Sequence, residues 1–184
     1  MEDERVKRFE EVYHRAYEQI LGYVIRRCES PEDASDVVAE TFAVAWRRID
    51  DVPPGEEATL WLYGVARRAL ANHYRGERRR RHHRQALAGT IAPFFPGPEE
   101  SLDLLTITSV FRSLQEEDRE LLSLLAWEGL DTAQIASVLG RSPNAVRIRL
   151  HRARKRLARA LRRSGVSTHH TAPATRIPAE RTTP

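Results

Sequence analysis

Between Asp131 and Arg163 the chain reads DTAQIASVLGRSPNAVRIRLHRARKRLARALRR, and its punctuation admits few backbone paths. Asp131 is placed to cap a helix, with Gln134 three residues on at the capping-box spacing. Ile135, Val138 and Leu139 share one side of that helix. It stops at Gly140, since glycine tolerates the left-handed turn that closes a helix. Ser142 then caps a second helix whose first position is Pro143, where a missing N–H and a fixed φ do no harm. A short helix, a glycine turn and a long helix make the outline of a helix-turn-helix.

The second helix carries the chemistry. At helical spacing Val146, Leu150, Ala153, Leu157 and Leu161 fall on one stripe, which must pack on the rest of a domain. The far side presents Asn144, Arg147, Ile148, His151, Arg152 and Lys155. From Thr132 to Arg163 there are ten Lys/Arg and no Asp/Glu, a balance suited to a polyanion. Arginine can pair bidentately with guanine and asparagine with adenine, while an exposed isoleucine can touch a thymine methyl. A solvated basic face explains the arginines alone. It does not explain caps, turn and one-sided basicity together, and these point to DNA.

The formal net charge of +4 over 184 residues hides a block layout. Met1–Tyr74 has ten basic and fifteen acidic side chains, Arg75–Arg84 six and one, and Gln85–Asp131 two and nine. Such alternation predicts separate surfaces with separate partners rather than a uniformly basic coat. Cys28 is the single cysteine, so neither an intrachain disulfide nor a cysteine-based zinc site can be assembled. The opening MEDERVKRF has no apolar core of a signal peptide, and no run approaches the ~18 apolar residues of a membrane span. The expectation is a cytoplasmic protein with no direct membrane insertion.

No strand-like alternation is present, so the expected fold is all-α: two small helical domains joined by a flexible linker, the C-terminal one holding the helix-turn-helix. Glu4–Arg27 repeats apolar residues at three- and four-residue steps. Ser30-Pro31 starts the next helix, Glu32–Ile49, whose core stripe is Ala34, Val38, Phe42, Ala45 and Ile49. Asp33, Asp36 and Glu40 line another side. Part of that acid suits the helix N-terminus; spacing alone does not separate a solvated face from a docking face for a basic partner. Asp50–Glu57, DDVPPGEE, is a loop. Thr59–Arg75 is helical again, with Trp61, Leu62, Val65, Ala66, Ala69 and Leu70 inward and Arg67, Arg68, Asn72 and Arg75 free. A basic helix end with aromatics nearby suits single-stranded nucleic acid, and equally an ordinary amphipathic helix. Gly and Pro between Ala88 and Glu100 mark a linker. Further helices begin at Leu102 and, capped by Asp118, run to Glu128. Domain bounds are expected at 1–80, 81–101 for the linker, 102–164, and 165–184 for a tail too poor in large apolar residues to order itself.

In this order the pieces resemble an extracytoplasmic-function (ECF) sigma factor, from the compact group of bacterial RNA polymerase sigma subunits. DASDVVAETFAVAW (Asp33–Trp46) followed by WLYGVARRALANHYR (Trp61–Arg75) is similar to the promoter-melting region. Leu114–Leu157 is similar to the −35-reading domain. The resemblance implies that Asp33, Asp36 and Glu40 dock on the β′ clamp helices of core RNA polymerase, and that the second domain meets the β flap. It implies that Val52, Trp61, Arg67, Arg68, Asn72 and Arg75 serve the melted −10 strand. In the −35 helix it implies base-edge contacts from Asn144, Arg147, Ile148, His151 and Arg152, with Arg149, Arg154, Lys155 and Thr132 nearer phosphate. The family pattern has asparagine where this chain has Arg68, so the resemblance implies base capture and leaves the −10 base open. Promoter DNA and a restraining anti-sigma protein are the other implied partners.

The competing reading is a stand-alone helix-turn-helix regulator with an N-terminal sensing or dimerisation domain, which needs neither an acidic docking face nor a melting-type helix. An enzyme is disfavoured. The sequence offers no catalytic set, metal-ligand spacing, cofactor loop or small-molecule substrate site. Deletion of Ser167–Pro184 is expected to leave the thermal midpoint and in vitro transcription nearly unchanged; a collapse of either would show the tail to be ordered and used.

Overall fold

A computed structural model describes the backbone of residues 2–84 and 102–165, with side chains except those of 77–84 and 102–104. The expected linker from 85 onward and the tail from 166 lie outside the described residues. Seven α-helices occur within these spans: α1 (Glu2–Ile25), α2 (Pro31–Arg47), α3 (Glu57–Arg84), α4 (Leu102–Ser113), α5 (Glu116–Ala126), α6 (Thr132–Leu139) and α7 (Pro143–Arg163). A 3-10 turn, Ile49–Asp51, follows α2, and the described residues contain no strand.

Helices α1, α2 and α3 pack mutually. Val12, Ala16, Ile20 and Val24 recur every four residues on α1 and are all buried, as a helix with one apolar stripe requires. They meet Val38, Phe42 and Ala45 of α2 and Leu62, Ala66 and Leu70 of α3 in one core. Ser30 caps α2 by accepting the Asp33 N–H at 3.0 Å, with Pro31 at the first turn. In the second half α4, α5 and α6 all pack on α7. The two halves also touch, because α3 lies against α6. Gly64 permits that crossing: a Cβ there would sit 3.5 Å from the Val138 carbonyl, and anything longer would strike backbone. One apolar core therefore continues from α1–α3 into α5–α7.

Three expectations need correction. The third helix begins two residues earlier than Thr59 and continues to Arg84, so a boundary at residue 80 falls inside a helix. Arginine is a good helix former, and nothing after Gly76 interrupts the run. Asp118 caps nothing. α5 starts at Glu116 after Gln115, and Asp118 is fully buried, where it accepts both Nε and Nη2 of Arg156 at 2.5 and 2.7 Å. Asp50–Glu57 is not loop throughout, since the 3-10 turn occupies its start.

Leu62 has no exposed surface and packs where α3 meets the N-terminal core. Leu62→Ala should therefore cost about 2–5 kcal/mol in urea unfolding followed by circular dichroism; a change below ~1 kcal/mol would mean that this core collapses easily around the loss.

Candidate nucleic-acid interface

The helix-turn-helix forms as its caps dictate. The Asp131 carboxylate accepts the N–H groups of Ala133 and Gln134 at 2.7 and 2.8 Å, and the Gln134 side chain accepts the Asp131 N–H at 2.9 Å. Gly140 takes φ 61°, and Ser142 caps α7 through the Ala145 N–H. Val146, Leu150 and Ala153 are buried, which turns Asn144, Arg147, His151, Arg152, Arg154 and Lys155 outward. Ile148 stands among them with 45% of its surface exposed, an apolar group uncovered on a cationic face. Arg147 Nη2 donates to Asn144 Oδ1 at 2.7 Å, so the two polar tips hold each other in position.

Two of the expected phosphate contacts are placed differently. Arg149 turns toward α5 and pairs with Glu117, with Asp118 at 3.8 Å beyond it. It is not free on the outer face, because its helical position falls between the apolar stripe and the groove side. Thr132 is half-buried at the first turn of α6, but Asp131 already accepts the two neighbouring amides that an anion would use.

On α3, Arg67, Arg68, Asn72 and Arg75 are all exposed along one broad side, and Arg75 donates to the Asn72 carbonyl. Trp61 is half-buried, with the Arg48 guanidinium carbon 5.8 Å from its ring centre. Val52 departs from expectation: it is 1% exposed, held in the core, and its carbonyl accepts Arg8 Nη2 at 2.5 Å. Its side chain is therefore not on a nucleic-acid face. The loop after it is pinned to α1 by that same bond.

The acidic set on α2 is only partly free. Asp33 lies 3.1 Å from His73 Nε2, Glu40 accepts Arg47 at 3.0 Å, and Asp36 is exposed. These three share a helix side but do not join the basic cleft. That cleft, about 640 Å³, brings Arg67 of α3 to the same space as Ile148 and Arg152 of α7. Arg141, in the turn before α7, also lines it and was not singled out from the sequence; an arginine between a glycine turn and a cap was the available signal. Asp118 was missed as a buried counter-ion. It precedes Leu121, Leu122 and Leu125 by three, four and seven residues, which places it on the inward stripe.

Among the described residues no group of three or more His, Cys, Asp and Glu could hold a metal ion, and no helix is long and apolar enough to cross a membrane. Burial, then the nearby Asp33 and Glu29 charges, pushes the Cys28 thiol up to about 11, so it stays protonated at neutral pH.

Residues 12–80 match the family described as Sigma-70 region 2, and residues 104–157 match Sigma-70, region 4. RNA polymerase sigma factor CnrH of Cupriavidus metallidurans is 34% identical over 153 residues, covering 77% of this chain and 80% of that protein. ECF RNA polymerase sigma factor SigL of Mycobacterium tuberculosis is 32% identical over 152 residues, covering 79% and 84%. The solved structure of CnrH in complex with the cytosolic domain of CnrY superposes with a TM-score of 0.60 at 27% identity, covering 84% of this chain and 88% of that one.

Proposed function

We propose, for a chain that belongs to the sigma-70 family and to its extracytoplasmic-function group, a division of promoter recognition between α7 and α3. The protein is a sigma factor that directs transcription initiation at chosen promoters. It works by binding, and the chemistry of RNA synthesis belongs to the polymerase it joins.

The observation that carries the division is the outer face of α7, where every described charge is positive and an uncovered isoleucine sits among hydrogen-bonding tips. Such a face suits the major groove of intact −35 duplex. Asn144, Arg147, Ile148, His151 and Arg152 read base edges, while Arg154 and Lys155 hold phosphates. Arg67, Arg68, Asn72 and Arg75 line the opened −10 strand beside Trp61. Extruding a base costs a few kcal/mol of stacking and pairing, so an aromatic and several cations together supply compensation. On the opposite errand, Asp36 with Asp33 and Glu40 meets a basic surface of core polymerase, the β′ clamp helices, while the C-terminal unit meets the β flap. Two of those carboxylates must exchange His73 and Arg47 for the new partner. CnrH binds the cytosolic domain of CnrY; a restraining protein of the anti-sigma kind is proposed for this chain by analogy.

Arg152→Ala should lose about 1–3 kcal/mol against the preferred −35 sequence and relax selectivity at one base pair. Binding titrations over a panel of single-base variants would measure it; an equal loss on every sequence would reassign Arg152 to phosphate. Reversing Asp36 and Glu40 to lysine should weaken binding to core polymerase while the circular dichroism spectrum stays the same. Unchanged affinity would remove the α2 face from the docking surface.

A further inference from the structure

The two halves are joined by a charged cluster at the end of α1. Arg26 and Arg27 follow α1, where cations complement the helix C-terminus. Arg27 Nη1 donates to the Tyr23 carbonyl at 2.9 Å, and its guanidinium carbon lies 3.7 Å from the Tyr23 ring centre. From there Nε reaches Glu120 of α5 at 3.0 Å and Nη1 reaches Glu128, in the turn after α5, at 3.3 Å. The Tyr23 hydroxyl donates to the same Glu120 at 2.7 Å, and Arg26 pairs with Glu128 at 2.5 Å. Glu128 is only 2% exposed at its side chain, so water screens these attractions far less than it screens a surface pair. Burial, then the Glu120 charge, holds the Tyr23 phenol well above its ordinary range, so it remains a donor.

The cluster is not fully satisfied. Arg27 Nη2 is buried with no hydrogen-bond acceptor among the described residues, which works against the joined arrangement. The joined arrangement also brings the two proposed DNA faces together. Arg67 from the −10 set and Ile148 and Arg152 from the −35 set line one cleft of about 640 Å³. A space of that size suits a small molecule rather than a length of duplex.

We propose that Tyr23, Arg26 and Arg27 on one side and Glu120 and Glu128 on the other form an autoinhibitory clasp, which holds the −35-reading helix against the −10-reading helix until the halves part. Closed, the chain hides Ile148 and Arg152 from the major groove. Parted, it exposes them and frees the spacing between the two promoter-reading elements. This rests on the assignment of α7 to duplex. The unsatisfied Arg27 nitrogen gives the clasp a reason to open when a better set of contacts is offered.

The test uses the full chain and two unlike ways of opening it. Glu120→Gln combined with Glu128→Gln removes charge and keeps shape. Gly64→Leu drives a side chain toward the Val138 backbone without altering charge. Dyes on Glu11→Cys and Arg159→Cys, both exposed positions, in a Cys28→Ser background report the distance between the halves. Unlabelled chains report affinity for an isolated −35 duplex. Both openings should lengthen the distance and raise duplex affinity about tenfold, as expected when a competent fraction near one-tenth becomes dominant. An unchanged distance in both variants would overturn the clasp, whatever α7 binds. A longer distance with unchanged affinity would overturn its inhibitory role. Opened chains with no preference for any duplex would sink that role together with the α7 assignment, while the distance would still report the contact.

Discussion

The burial of Val146, Leu150 and Ala153 orients what this protein presents to DNA. α7 has cations on most of its circumference, so charge alone cannot decide which side faces out. Apolar burial can, since a Val or Leu side chain removed from water is worth about 1.5–3 kcal/mol. Rotating α7 by one position would lower arginines into the core and lift leucines into solvent. Asp118 then fixes the helix along its length by taking both prongs of Arg156, a fork geometry that a lysine could not reproduce.

The acids of the middle block have a use that the charge pattern did not reveal. Alternating blocks predict separate surfaces for separate partners. Much of the acid between Gln85 and Asp131 is instead spent inside the molecule: Glu117 on Arg149, Asp118 on Arg156, Glu120 on Arg27 and Glu128 on Arg26. What remains outward on α7 is therefore even more one-sided than the sequence balance, and the four pairs position it on α5 and set the second half against the first. Surface ion pairs contribute little to stability; these bear on orientation because several of their members are shielded from water.

Local chemistry was the part most legible in the sequence. The Asp131–Gln134 box, the Gly140 turn and the Ser142-Pro143 start follow from side-chain length and backbone φ, which depend only on neighbours. The apolar stripes of α1, α2 and α7 follow from helical spacing. Family membership was legible too, because two motifs in the right order are far more specific than either alone. Less visible were effects that depend on distant partners. Tyr23 and Glu120 are 97 residues apart, and no local rule pairs them. Asp118 looked like a cap because capping is the commonest role of an aspartate near a helix start, whereas the Arg156 that recruits it lies on another helix. Val52 looked like loop surface because two prolines and a glycine follow it, yet the 3-10 turn before it points the side chain inward.

The central claim is that one half of this chain engages polymerase and opened strand while the other presses a cationic helix into intact duplex. The most direct measurement is run-off transcription with purified core polymerase, with and without the purified chain, on a template whose −35 and −10 elements are separately scrambled. The account predicts a defined transcript that appears only with the chain and is lost when either element is scrambled. Tight binding of the chain to the template with no polymerase-dependent transcript would contradict it.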